Sequence, residues 1–182
     1  ICLLIALTNF SSAILLLFTC LILLFISRVP FKYLLMLSVI AVLAGSISLF
    51  VGQRGKTVIS RFENFADNKN IPFQLEQAYI AVSTGGIFGK GPGKSNQKNF
   101  LPQSYSDFIY AIVIEEYGLI TGFLVLILYI LLLYRGLVTL INSERAFGGL
   151  LSAGLSFALV IQAMINMCVV VGLLPVTGLT LP

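Results

Sequence analysis

The residues whose types and spacing could do chemistry gather between Gly85 and Asp107. Gly85-Gly86-Ile87-Phe88-Gly89-Lys90-Gly91-Pro92-Gly93-Lys94-Ser95-Asn96-Gln97-Lys98 is punctuated throughout by glycine and lysine. It runs through Leu101-Pro102-Gln103-Ser104-Tyr105-Ser106 to Asp107-Phe108, where a long apolar stretch begins. A carboxylate at such an edge can accept a proton from an attacking hydroxyl. Lysines beside it can neutralise an anion, and glycines let backbone amides turn toward one. The combination suits an anionic, lipid-linked substrate at a membrane surface.

Each of these features also has a plainer reading. Gly89-Lys90-Gly91-Pro92-Gly93-Lys94-Ser95 resembles a nucleotide P-loop but is one residue short of that spacing, and no β-strand precedes it, which argues against ATP. A glycine-rich segment can equally be a flexible connector. Asp107 can equally be a helix cap, accepting backbone N–H groups at the positive end of the dipole.

The elements that must position these residues belong to a membrane protein. Of 182 residues, 58% are apolar and only 10% charged, with a mean hydropathy of +1.03. A soluble domain carries roughly a quarter charged residues. Apolar runs near twenty residues match a bilayer core of about 30 Å and predict an all-α, polytopic architecture. There is no histidine, which excludes a histidine-based triad or zinc site. Cys2, Cys20 and Cys168 lie in apolar runs without metal-ligand spacing and read as small packing residues. Ile1 opens inside an apolar run and Pro182 follows a membrane exit, so a fragment of a larger multispan protein is expected.

Four spans are predicted, at about residues 3–26, 33–51, 108–134 and 148–174. Ser27 to Lys32 forms a tight turn, and Arg135 to Phe147 a short polar connection. A loop of about 55 residues, 52–107, separates the second and third spans, and a loop of that length is usually functional or disordered. Within it Leu75, Ala78, Tyr79 and Val82 recur at helical spacing, which predicts a helix from Pro72 to Ser83 ended by Gly85-Gly86. That amphipathic helix could lie on the bilayer or pack against the spans. The basic residues of the short links, Arg28, Lys32, Arg135 and Arg145, favour the cytoplasm. The long loop holds seven more, so charge alone leaves its side open.

Inside the spans, Glu115 and Glu116 lie about 12 Å along the helix from Asp107. Carboxylates at that depth are costly; they either serve a polar cavity or pair with donors on a neighbouring element. Gln162 and Asn166, at i and i+4, share one helix face and suit hydrogen bonding between elements.

Taken together, these residues resemble the SEDS family of bacterial cell-wall polymerases, the FtsW, RodA and SpoVE group, over nearly the whole chain. Gln97-Lys98, Leu101-Pro102 and Asp107-Phe108-Ile109 match the family's pattern at its active loop; Ser106 replaces a Thr, and Gln103 stands where the family has Glu. Glu115-Glu116-Tyr117-Gly118 and Gln162-Ala163-Met164-Ile165-Asn166 resemble two further motifs. Gly172-Leu173-Leu174-Pro175-Val176-Thr177-Gly178-Leu179-Thr180-Leu181-Pro182 resembles the signature before the last span. Asn9 occupies the place of a family Asp, and Thr180 leans toward the division type over the elongation type that controls cell shape.

The resemblance implies ten transmembrane helices, of which this chain holds about four, with the long loop outside the cytoplasm. It implies a peptidoglycan glycosyltransferase that polymerises lipid II in the bacterial cytoplasmic membrane at the division septum. A lipid II flippase is the competing expectation. On the enzyme reading Asp107 is the base. Lys98, with Lys94, Lys90, Arg61 and Gln97, would bind the pyrophosphate. Glu115, Glu116, Gln162 and Asn166 are structural or line a cavity. A divalent cation, Mg2+ or Mn2+, could assist, with no ligand set legible; no nucleotide and no nucleic acid enter. The implied partners are a class B penicillin-binding protein transpeptidase and other divisome proteins.

Overall fold

A computed structural model describes residues 9–51, 73–96 and 107–182, together with Cys2, Ile5, Ala6 and Ser60; for residues 44 and 46–51 only the backbone is described. Five helices among the described residues have defined bounds: α1 (Phe10–Ile26), α2 (Phe31–Val51), α3 (Phe73–Gly85), α4 (Ile109–Asn142) and α5 (Ala146–Val170). Among the described residues, α4 and α5 are long and apolar enough to cross a membrane, and α1 and α2 contribute shorter described apolar stretches. Large apolar side chains such as Phe18, Tyr33, Phe123 and Leu128 stand exposed, as lipid-facing positions do.

The chain divides into two compact units, residues 1–59 with 132–161 and residues 60–131 with 162–182. In the first, α1 packs against α2. The turn between them closes as sequence predicts. Arg28 adopts φ 59°, Arg28 N donates to Phe25 O at 3.1 Å, and Val29 N to Leu24 O at 3.2 Å. Those two bonds satisfy the last carbonyls of α1, and Pro30 bars its continuation. The same unit brings the end of α4 against the start of α5 through small residues: the Cα of Gly136 lies against the Ser156 side chain, and Gly149 against Leu140. A side chain at either glycine would push the helices apart.

Here the sequence expectation needs correcting. Arg135 is helical, because α4 runs on to Asn142 and leaves only Ser143–Arg145 as the connection. One charge in Arg135-Gly136-Leu137-Val138-Thr139-Leu140-Ile141-Asn142 does not end a helix, since an arginine stem lies along apolar surface while its head reaches water.

In the second unit α3, the start of α4 and the end of α5 share a core. Leu75, Ala78 and Ala81 of α3 meet Phe108, Tyr110, Ala111 and Ile114, with Ala163, Met167, Val169 and Val170 from α5. Tyr79 and Val82 pack at its edge. The apolar stripe of α3 is therefore directed at protein, which decides between the two destinations left open for it. α5 stops at Val170, before the predicted 174, in a left-handed turn. Gly172 has φ 79°, and its N–H donates to Val169 O at 3.1 Å while Leu173 N donates to Cys168 O at 2.8 Å. Tyr79 lies close over Gly172, where a Cβ would meet the phenol oxygen at 2.7 Å.

α4 is not one straight rod. Gly118 has φ 86° and ψ 172°, a conformation open in practice only to glycine. Two limbs, Ile109–Tyr117 and Leu119–Asn142, meet there. The bend is sharp, because the Tyr110 hydroxyl donates to Gly122 O at 3.1 Å. On a straight helix those residues would stand about 18 Å apart along the axis. The limb from Leu119 measures about 36 Å, enough by itself for a bilayer core. Glu115 and Glu116 thus belong to a limb that does not continue in the direction of the crossing one, which corrects the expectation of a single continuous span from residue 108.

Candidate active site at the head of α4

The break at Gly118 leaves helical carbonyls without their usual partners, and the glycine-rich loop supplies new ones. Lys90 N donates to Glu115 O and Gly91 N to Glu116 O, both at 2.9 Å. In return Leu119 N donates to Gly86 O at 3.0 Å. Each such buried group would otherwise cost about 1–3 kcal/mol. The two backbones approach so closely that side chains are excluded. A Cβ on Gly89 would strike Glu116 O and Gly118 N, one on Gly118 would strike Ile87 O and Gly89 N, and one on Gly85 would strike Ile114 O. At Gly85 and Gly89 glycine is required by main-chain contact, not by flexibility.

Beneath the strap lies a buried charge. Glu115 has no solvent exposure, and its Oε1 accepts from Lys90 Nζ at 2.7 Å. Ser95 Oγ donates to Oε2, and Asn96 N donates to Oε1 at 3.3 Å. Lys90 Nζ also donates to Thr84 Oγ1 at 2.9 Å. A buried ion pair is weak evidence for net stability, yet removing one partner from it costs about 3–5 kcal/mol. Between these anchors, Gly91-Pro92-Gly93-Lys94 makes a turn. Pro92 precedes Gly93 at φ 75°, and Lys94 N donates to Gly91 O at 3.2 Å, the pattern of a type II turn. Lys94 is exposed and makes no ion pair with a described residue.

Asp107 stands half-buried just ahead of α4, next to Phe108, which is 1% exposed and anchors the helix start. Its main-chain carbonyl accepts from Asn166 Nδ2 at 2.7 Å. The same Nδ2 donates to Leu179 O at 2.7 Å, and Gln162 Nε2 donates to Thr180 O at 2.9 Å. The Gln162/Asn166 face therefore ties the segment after α5 to the head of α4.

Of the residues singled out from sequence, Asp107, Lys90, Lys94, Glu115, Glu116, Gln162 and Asn166 all fall in the second unit. Lys90 is paired with Glu115, and no ion pair joins it to Asp107 among the described residues. Glu116 enters through its backbone. Arg61, Gln97 and Lys98 lie outside the described residues. Sequence reading missed Thr84, Ser95 and Asn96 as partners of the buried pair, and no local signal marks them. It also passed over Gly118 as a helix break, although Glu-Glu-Tyr-Gly carries the glycine that commonly ends a helix.

A kinked apolar helix strapped by a cationic glycine loop, in an all-helical chain with bilayer-length segments, defines a polytopic membrane protein with a polar site at one helix head. A family model described as "Cell cycle protein", that of the FtsW, RodA and SpoVE proteins, matches residues 1–182. The chain belongs to that family. It is 38% identical over 167 residues to stage V sporulation protein E of Bacillus subtilis (strain 168), covering 90% of this chain and 45% of that protein. It is 38% identical over 187 residues to a probable peptidoglycan glycosyltransferase FtsW of Alkalilimnicola ehrlichii, covering 99% and 46%. The FtsW of the same description from Legionella pneumophila is 38% identical over 180 residues, covering 96% and 45%. The chain spans less than half the length of each of these relatives.

Proposed function

We propose that the protein carrying this chain is a peptidoglycan glycosyltransferase that polymerises lipid II in the bacterial cytoplasmic membrane during division, with Asp107 as its base. The observation that carries this reading is a half-buried carboxylate, Asp107, just ahead of the short helical limb to whose Glu115 and Glu116 carbonyls a cationic loop is anchored. Asp107 takes the proton of an acceptor sugar hydroxyl as that oxygen attacks the anomeric carbon of the donor. The bond from that carbon to the undecaprenyl diphosphate breaks, and the electron pair leaves on the diphosphate oxygen. Inversion needs one base and no covalent intermediate. Lys94 faces the departing diphosphate, with Lys98, Arg61 and Gln97 as further binding groups.

The printed names of relatives as peptidoglycan glycosyltransferases support the reaction class. Against a lipid flippase stands the occupation of the polar groups a transport path would use. Glu115 is taken by Lys90, and the Asn166 amide nitrogen by two carbonyls. Diphosphate departure is chemistry that Mg2+ or Mn2+ can assist. Among the described residues, however, no three Cys, Asp or Glu side chains converge on one point, and no step here is routed through a metal. A class B penicillin-binding protein that crosslinks the strands, and other divisome proteins at the septum, complete the proposal.

The test is Asp107→Asn in the intact protein, given lipid II in detergent. This substitution keeps the main-chain carbonyl that Asn166 binds. Polymer formation should be lost while membrane insertion and melting temperature hold. Polymer at the wild-type rate would remove the base assignment.

A further inference from the structure

We propose that Glu115 is a positioning residue whose buried carboxylate sets the place of Lys94 for the substrate's diphosphate, with Lys90 serving as its counter-ion and not as a substrate contact. The inference rests on the lipid II reading above and assigns a division of labour within that site.

The geometry runs from both sides of one turn. Ahead of it, Lys90 and Gly91 are fixed to the Glu115 and Glu116 carbonyls at 2.9 Å. Behind it, Ser95 is buried and bonded to Glu115 Oε2, and Asn96 N reaches Oε1 at 3.3 Å. Pro92 and Gly93 fix the turn itself, so Lys94 is the one side chain between the anchors that is both cationic and exposed. Behind the turn, the Ser95 hydroxyl and the Asn96 amide both reach that one carboxylate. Lys90, by contrast, donates to Glu115 and to Thr84 and has its charge matched where it stands. An ammonium held at 2.7 Å from a fully buried carboxylate cannot leave it for a diphosphate without stranding that charge. A cation displayed on a rigid turn binds an anion with less ordering cost than one on a mobile chain.

Two singles and their double test this in the intact protein with lipid II. Lys94→Met should raise KM roughly tenfold, and Glu115→Gln should do the same by loosening the turn, with smaller changes in kcat. The double Glu115→Gln/Lys94→Met should have the KM of Lys94→Met alone, because Glu115 acts through Lys94. Additive effects on KM would overturn the proposal, as would a wild-type KM in Glu115→Gln. If Glu115→Gln does not fold, Ser95→Ala takes its place in the same cycle with the same criteria. A Lys90→Met/Glu115→Met pair separates positioning from bulk stability. An apolar pair can restore melting temperature, yet KM should stay raised; a return to wild-type KM would show a purely structural role. Loss of turnover in Asp107→Asn alongside additive Lys94 and Glu115 effects rejects this inference and leaves the enzyme reading standing. Retained turnover in Asp107→Asn rejects the base assignment independently.

Discussion

The buried amide of Asn166 holds the main-chain carbonyl of Asp107 at 2.7 Å, and the same nitrogen holds Leu179 O at 2.7 Å. One side chain on α5 thus fixes the residue ahead of α4 and the segment that follows α5. The side chain of Asp107 is left outside this bond, so its orientation depends on a backbone that another helix keeps still.

Asn166→Ala should strand the carbonyls of Asp107 and Leu179 and lower stability by about 2–6 kcal/mol, at about 1–3 kcal/mol per unsatisfied group. Asn166→Asp should be at least as damaging, since a carboxylate would face two carbonyl oxygens. Thermal melting in detergent reads the first effect. Polymer yield from lipid II should fall with both variants, and an unchanged melting temperature would contradict the role given to the amide.

Gly118→Ala and Gly89→Ala should each tear the loop from α4, because the new Cβ meets main-chain atoms that cannot move aside. A left-handed or extended-positive backbone adds about 1–3 kcal/mol of strain. Gly93→Ala is the control: it shares a positive φ but faces open space, so it should cost only the strain of the left-handed turn, about 1–2 kcal/mol. Hydrogen exchange at the Lys90 and Gly91 amides separates the cases, with fast exchange expected in the first two variants and near-native protection in the third.

Gly172→Ala should be destabilised twice over, by its left-handed φ of 79° and by collision with the Tyr79 hydroxyl. Adding Tyr79→Phe removes the colliding oxygen but not the backbone strain. The double variant should therefore melt above Gly172→Ala and below wild type. Equal melting of single and double would show that Tyr79 does not limit the space.

The loop should lie outside the cytoplasm if it handles lipid II there. In a background without Cys2, Cys20 and Cys168, Lys94→Cys should react with a membrane-impermeant maleimide added to whole cells, and Glu144→Cys should react only after lysis. Both positions are exposed, so access to the reagent, not burial, decides the result. The reverse labelling pattern would sink the proposed topology.

Local chemistry made much of this legible in sequence. Apolar runs marked the helices, Pro30 and the basic link marked the first turn, and the spacing of Leu75, Ala78, Tyr79 and Val82 marked α3 and its apolar stripe, though not whether protein or bilayer would cover it. The break at Gly118 was harder, because an isolated glycine inside an apolar run is usually tolerated by a helix. What forces the bend is the arrival of Gly86 to Gly91 from about thirty residues upstream, and a long-range main-chain contact leaves no periodicity. For the same reason Glu115 could be recognised as needing a partner, but nothing in its own neighbourhood named Lys90, Ser95 and Asn96. Arg135 misled in the opposite sense: a charge suggested a loop where neighbouring apolar residues kept the helix going.

The strap between the glycine loop and α4 is written in peptide groups, so its spacing matters more than its spelling. Ile87 and Phe88, both exposed, can drift in identity without moving Lys94. Lengthening or shortening the chain by one residue between Gly86 and Gly91 would put the wrong amides opposite Glu115 and Glu116. Alanine at Ile87 or Phe88 would scarcely disturb this joint, whereas a single-codon insertion or deletion there would disable it.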